Sequence, residues 1–184
     1  MRRILFVLLL ILGTPMALAQ APGGGSSELD RAFAALRDSS DEMGGRLAET
    51  AIRQIWARQA TPAVALLMNR GVRNMRRDQP ADALEDFDAA LLLEPGWADA
   101  WHWRAQAHAA RGDMRAAAAD LREALRIEPR HFPALITLSR LQEEAGDHAG
   151  ALRAHRAVLE MHPHLPGGAA RLRELTRRAE GESM

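Results

Sequence analysis

The sequence predicts an all-α protein, a right-handed solenoid of three helical hairpins with a further hairpin before it and a capping helix after it. Three observations carry that expectation. Leu-Glu-Pro ends at Pro95, Ile-Glu-Pro at Pro129 and Met-His-Pro at Pro163, two successive steps of 34 residues. A fixed period of this length marks stacked supersecondary units. Within the period, Gly112-Asp113 and Gly146-Asp147 supply a left-handed helix end followed by a helix N-cap, so each unit is two helices and a tight turn. The third observation is composition. Apolar residues make up 47% of the chain and much of that is Ala, the best helix former, and no strand pattern competes.

The first element is an export signal over residues 1–19. Arg2 and Arg3 precede an apolar run from Ile4 to Leu12, and Ala17-Leu18-Ala19 supplies small residues for cleavage after Ala19. The run has about half the roughly 20 residues a bilayer span needs, so the mature chain is expected to carry no membrane span. No Cys occurs in the 184 residues, which excludes disulfides, thiolate metal sites and a lipid-accepting Cys. All 24 basic residues are Arg, a usage associated with high-GC bacteria, where the destination is the periplasm. A Gly- and Pro-containing linker is expected over residues 20–28.

Residues 29–60 read as a helical hairpin. Leu29, Phe33 and Leu36 share one helix face, and Leu47, Ala51 and Ile55, widened by Ile52 and Trp56, share another. Ser39 before Glu42 offers a capping box. This pair is expected to cap the open face of the first unit, or to be a degenerate further unit. The three units follow at 64–97, 98–131 and 132–165. In the same frame Gly71, Ala105 and Ser139 face Ala83, Ala117 and Ala151, small pairs that let the two helices of a unit approach closely. The large slot holds Phe87, Leu121 and His155, and Ala90, Ala124 and Val158 share the slot three residues further on. Pro80 suits the first turn of a helix, and Pro95, Pro129 and Pro163 disfavour helix in the residue before them. After Pro166, residues 167–180 form a last helix. Its Leu172, Leu175 and Ala179 make an apolar stripe, and Arg171, Arg173, Arg177 and Arg178 fall largely elsewhere, the pattern of a solvating cap.

The period and its anchor positions resemble the tetratricopeptide repeat (TPR) family over the three units. Trp101 matches the family's aromatic near the start of helix A, where Leu67 and Leu135 stand in the other units. Asn74, His108 and Gln142 replace a family Tyr. The resemblance implies a concave peptide-binding groove lined by helix A of each unit. It places Met68, Val72, Met75 and Arg76 there from the first unit, Asp99, His102, Trp103 and Gln106 from the second, and Ile136, Thr137, Arg140 and Glu143 from the third. Some family members clamp a carboxylate with Lys, Asn and Arg. Here those positions hold Met68, Val72, Trp103, Pro133 and Thr137, which cannot supply that clamp.

Function classes narrow accordingly. The 24 basic and 24 acidic residues balance, so no basic excess points to nucleic acid. No His-Glu-x-x-His or carboxylate cluster supports a metal, no Gly-x-Ser-x-Gly turn a nucleophile, and no glycine-rich loop a phosphate. The expectation is a non-enzymatic, cofactor-free periplasmic adaptor or scaffold that binds a peptide or helix of another envelope protein. The alternatives are an assembly or maturation factor, for example of the cytochrome c maturation type, or a self-associating scaffold.

Overall fold

The structure is a computed structural model that describes residues 24–181. The export signal expected over 1–19 and the start of the linker lie outside the described residues. Among the described residues there are nine helices: α1 (Gly24–Arg37), α2 (Glu42–Ala57), α3 (Pro62–Arg76), α4 (Pro80–Leu93), α5 (Ala98–Ala110), α6 (Met114–Ile127), α7 (Phe132–Glu144), α8 (His148–Met161) and α9 (Gly168–Gly181). Consecutive helices pack in pairs, α3 on α4, α5 on α6 and α7 on α8, with α9 against α8. The result is the expected solenoid of three helical hairpins with a hairpin before it and a helix after it. No described helix is long and apolar enough to cross a membrane.

The turns inside the units obey local backbone chemistry. Gly112 and Gly146 adopt φ of +80° and +82°, open to glycine at no steric cost. The next residue then caps helix B: Asp113 Oδ1 accepts from Ala116 N–H at 2.9 Å and Asp147 Oδ1 from Gly150 N–H at 2.7 Å. The first unit solves the same turn differently. Asp78 takes the left-handed position with φ of +58°, a conformation Asp tolerates better than most residues. Gln79 makes no side-chain cap, and Pro80 starts the helix where no N–H is required.

Two expectations about the first hairpin change. Residues 24–28, assigned to the linker, are the first turns of α1. Leu29, Phe33 and Leu36 are buried, and each residue added to a docked helix costs far less than starting one. The cap of α2 is Asp41, whose Oδ1 accepts from Gly44 N–H at 2.8 Å, while Ser39 donates to the Leu36 carbonyl at 2.9 Å.

The larger correction concerns where the hairpin docks. It does not cover the open face of the first unit. Leu29, Phe33, Leu36, Ala48, Ile52, Ile55 and Trp56 form one core with Phe132 of α7 and Val158 of α8, with Leu135, Met161 and Leu165 packed beside them. The chain turns back along the inter-unit loops and lands on the third unit. Arg130 donates to Asp30 at 2.6 Å and lies 4.4 Å from the Phe33 ring centroid, and Trp97 Nε1 donates to the Trp56 carbonyl at 3.3 Å. Gly45 is required at this contact, because a Cβ there would sit 2.9 Å from His162 Cε1. At the other end, α9 covers the third unit with Leu172, Leu175 and Ala179, and the buried His155 bonds the Gly168 carbonyl through Nε2 at 2.9 Å.

Candidate functional site

The first helices of the units, α3, α5 and α7, carry the predicted groove residues, and their order along the array follows one rule. A residue in the fifth slot of one unit packs against the sixth slot of the next. Met68 and Trp103 share the core between the first two units. His102 Nε2 lies 3.0 Å from Thr137 Oγ1. Ile136 and Arg171 come together in turn, but Arg171 is drawn aside into an ion pair with Glu143. A cleft of about 410 Å³ is left there, lined by Ile136, Ser139, Arg140, Leu165, Pro166 and Arg171 among others.

The predicted residues therefore divide. Met68, His102 and Thr137 are buried and serve the interior, because the neighbouring unit closes over them. Val72 and Met75 are half-buried against the core of the first two units. Trp103 is half-buried, 6.3 Å from Phe87 and 6.0 Å from His102 by ring centroids. Asp99 is bonded to His131 and Gln106 to His102. Glu143 is held well below the usual carboxylate range, first by its bond to Arg171, and also pairs with Arg178 at 2.8 Å. Arg76, Ile136 and Arg140 are the exposed ones.

The docked hairpin closes one edge of this surface. The Trp56 indole stacks on His131, centroids 4.7 Å apart at 21°, and Arg53 lies 5.3 Å from the Phe132 ring centroid. His162 is fully buried, and its Nε2 faces Glu49 at 3.4 Å. That hydrogen bond is the first cause of a lowered Glu49 pKa. Sequence reasoning missed His131 and His162 as partners of the hairpin. The only signal was their position in the loops beside Pro129 and Pro163.

Asp99, His102 and His131 bring potential ligand atoms within 4.8 Å of one another. The hydrogen bonds argue against a cation there. His131 Nδ1 accepts the Ala134 N–H at 3.1 Å as the cap of α7, which leaves the ring proton on Nε2. That proton is donated to Asp99 Oδ1 at 3.0 Å. A metal needs Nε2 bare, and a proton moved to Nδ1 would break the cap. The trio is a polar network beside the hairpin, with both histidines buried and Asp99 half-buried.

Burial pushes the His102 pKa down from 6.5 to about 3, with His131 a further cause. Above pH 6.5 both folded and unfolded chains hold this ring neutral. As the pH falls from 6.5 towards 3, the unfolded chain takes up a proton that the folded chain refuses, so stability is lost. The slope is about 1.4 kcal/mol per pH unit well inside that window. Urea melts at pH 6.5 and 4.5 are expected to show on the order of 2 kcal/mol of pH-dependent loss that is absent from His102→Gln. Equal loss in both proteins would mean that His102 is not the neutral buried group described.

With this geometry in place, residues 98–131, the second unit, match the family model described as tetratricopeptide repeat. The Sgt2 TPR domain from Aspergillus fumigatus superposes with a TM-score of 0.63 at 24% identity, covering 67% of this chain and 83% of that one. The fold is the TPR solenoid. The first TPR of Spaghetti (RPAP3), bound to the HSP90 peptide SRMEEVD, gives a TM-score of 0.62 at 15% identity over 66% of this chain and 98% of that one. In sequence the chain is similar to a TPR repeat-containing protein of Rhizobium etli, 28% identical over 135 residues. The match covers 73% of this chain and spans 66% of that relative's length.

Proposed function

We propose that this TPR chain is a non-enzymatic adaptor of the bacterial envelope. It holds an extended segment or helix of another protein in the part of the concave face that the hairpin leaves open. The observation that carries this reading is the cleft between α7 and α9. Ile136, Leu165 and Pro166 give it apolar walls, and Arg140 stands at its rim with only a 3.9 Å approach to the exposed Glu144. Such a cleft takes an apolar side chain with a carboxylate beside it. Of the positions that form a carboxylate clamp elsewhere in the family, Met68, Pro133 and Thr137 are buried here. Recognition would rest on the α7–α9 cleft instead. A preformed groove lowers the ordering cost of binding, which is how a rigid solenoid gains affinity.

Export rests on residues outside the described structure: Arg2 and Arg3, the apolar run Ile4–Leu12 and Ala17-Leu18-Ala19. The test is in-cell crosslinking of tagged wild type and of the double variant Ile136→Glu, Arg140→Glu, followed by mass spectrometry. Both residues are exposed, so the melting temperature should hold. Recovery of the partner is expected to fall about tenfold or more in the variant, corresponding to a binding loss of at least about 1.4 kcal/mol. Equal recovery from both would place the binding surface elsewhere. Recovery of self-adducts alone would make the chain an oligomeric scaffold.

A further inference from the structure

The hairpin lands on the third unit, so the first unit keeps a face that its neighbours have covered. The 34-residue frame shows what is missing. Ala100 and Ala134 are 0% exposed beneath the preceding unit, and their counterpart Leu66 is 71% exposed. Ala107 is 0% and Leu141 7% exposed, and their counterpart is the exposed Arg73. On the same end of the unit Leu93 of α4 is 57% exposed.

The ion pairs mark what would cover that face. In the second unit Arg104 bridges two helices. It binds Asp120 of its own unit and Asp88 of the preceding unit, each at 2.8 Å. In the first unit Arg70 binds Asp86, the counterpart of Asp120. Its side chain is 61% exposed against 20% for Arg104, and among the described residues no second carboxylate pairs with it, Glu85 acting on it only from beyond ion-pair distance. Arg73 and Arg77 likewise pair with no described carboxylate. The face is apolar at Leu66 and Leu93 and positive beside them.

We propose that this α3–α4 face is a docking site for an acidic amphipathic helix of another protein, lying on α3 as α4 lies on α5. The partner helix places a carboxylate on Arg70, with apolar residues four before and three after it, the spacing of Leu84, Asp88 and Leu91. Small residues meet Leu66, which is bulkier than Ala100. A second copy does not offer its own α4 for this purpose, because Leu84 and Leu91 are buried in the core that α4 shares with α5. The site is separate from the concave groove.

The probe is a stapled, fluorescently labelled peptide of the α4 sequence, Pro80–Leu93, with Leu91→Ala, titrated into the purified protein. Binding is expected to weaken as salt is raised, and to fall about tenfold or more with the protein variants Leu66→Glu or Arg73→Glu. Both positions are exposed, and unchanged melts would show that these variants fold. A peptide with Asp88→Lys should bind as poorly. The groove variant Ile136→Glu, Arg140→Glu should bind the peptide like wild type, which separates this site from the groove. Failure of wild type to bind, or equal binding by Leu66→Glu or by the Asp88→Lys peptide, overturns the proposal. A photocrosslinker at position 66 in the producing cell supplies a second readout. An adduct on an acidic helix of another protein supports the site, and an adduct on a second copy overturns it.

Discussion

Gly71→Leu is expected to cost more than about 3 kcal/mol and to melt the first unit before the rest of the array. Gly71 is buried beside Phe87, and even a Cβ at this position would sit 2.8 Å from Phe87 Cζ and 2.9 Å from Cδ1. Phe87 is fully buried and cannot swing into solvent. The other units show why this slot is filled by the smallest residue. Gly71 faces Phe87, Ala105 faces Leu121 and Ser139 faces His155, so the smallest residue on helix A meets the bulkiest apolar one on helix B. Interior packing leaves no slack for a side chain added to one partner alone. The compensating change is therefore defined. Gly71→Ala with Phe87→Leu copies the second unit and should recover most of what Gly71→Ala alone loses. Thermal melts followed by helix content check both, with 1 kcal/mol moving the midpoint by roughly 2–4 °C in a chain of this size. A Gly71→Leu protein that melts like wild type would mean that the pairing of α3 with α4 is wrong.

That pairing was legible because it repeats. Prolines, turn residues and small slots recur in one frame, and each copy tests the others. The turn at Asp78 was the hard case, since Gly is replaced there, and the frame carried it across. The hairpin's destination had no such support. It depends on Trp56 meeting His131 and Phe132, residues some 75 positions away with no periodic counterpart. A solenoid otherwise makes contacts between neighbours, which is why the sequence pointed the hairpin at the first unit. The groove suffered from the same blindness. Slot numbers place Met68, His102 and Ile136 on the concave side, but burial there is decided by the residue that meets each of them from the next unit. Trp103 and Thr137 close over two of these slots, while Arg171, turned towards Glu143, opens the third. Sequence spacing gives direction along a helix, and only packing decides which directions remain open.

Trp56→Ala is expected to release the hairpin from the third unit while α3 to α9 stay folded. Trp56 is 4% exposed. Its ring stacks on His131 and approaches Phe132 and Phe33, at centroid distances of 5.6 and 6.0 Å. Truncating a buried Trp to Ala typically costs about 3–5 kcal/mol, through lost transfer energy and the cavity left behind. The remaining ties are weaker. In the Arg130–Asp30 pair Asp30 is exposed and Arg130 half-buried, and pairs open to solvent contribute about 0–1 kcal/mol. The Glu49–His162 contact is long at 3.4 Å. The solenoid has its own cores, Val64 to Ala107 between the first two units and Ala105 to Leu141 between the second and third. Hydrogen exchange read peptide by peptide distinguishes the outcomes. Amides of α1 and α2 should lose protection in Trp56→Ala, while those of α5 and α6 keep theirs. Uniform loss across all helices would make the hairpin part of one cooperative core. Unchanged protection of α1 and α2 would mean that the aliphatic contacts of Ile52 and Ile55 with the third unit hold the hairpin without the ring. Release of the hairpin would also bring water to Asp99, His102 and His131, so the acid sensitivity assigned to His102 should shrink in the same variant. The two observations stand or fall together, because one stacked indole seals the network that keeps that histidine neutral.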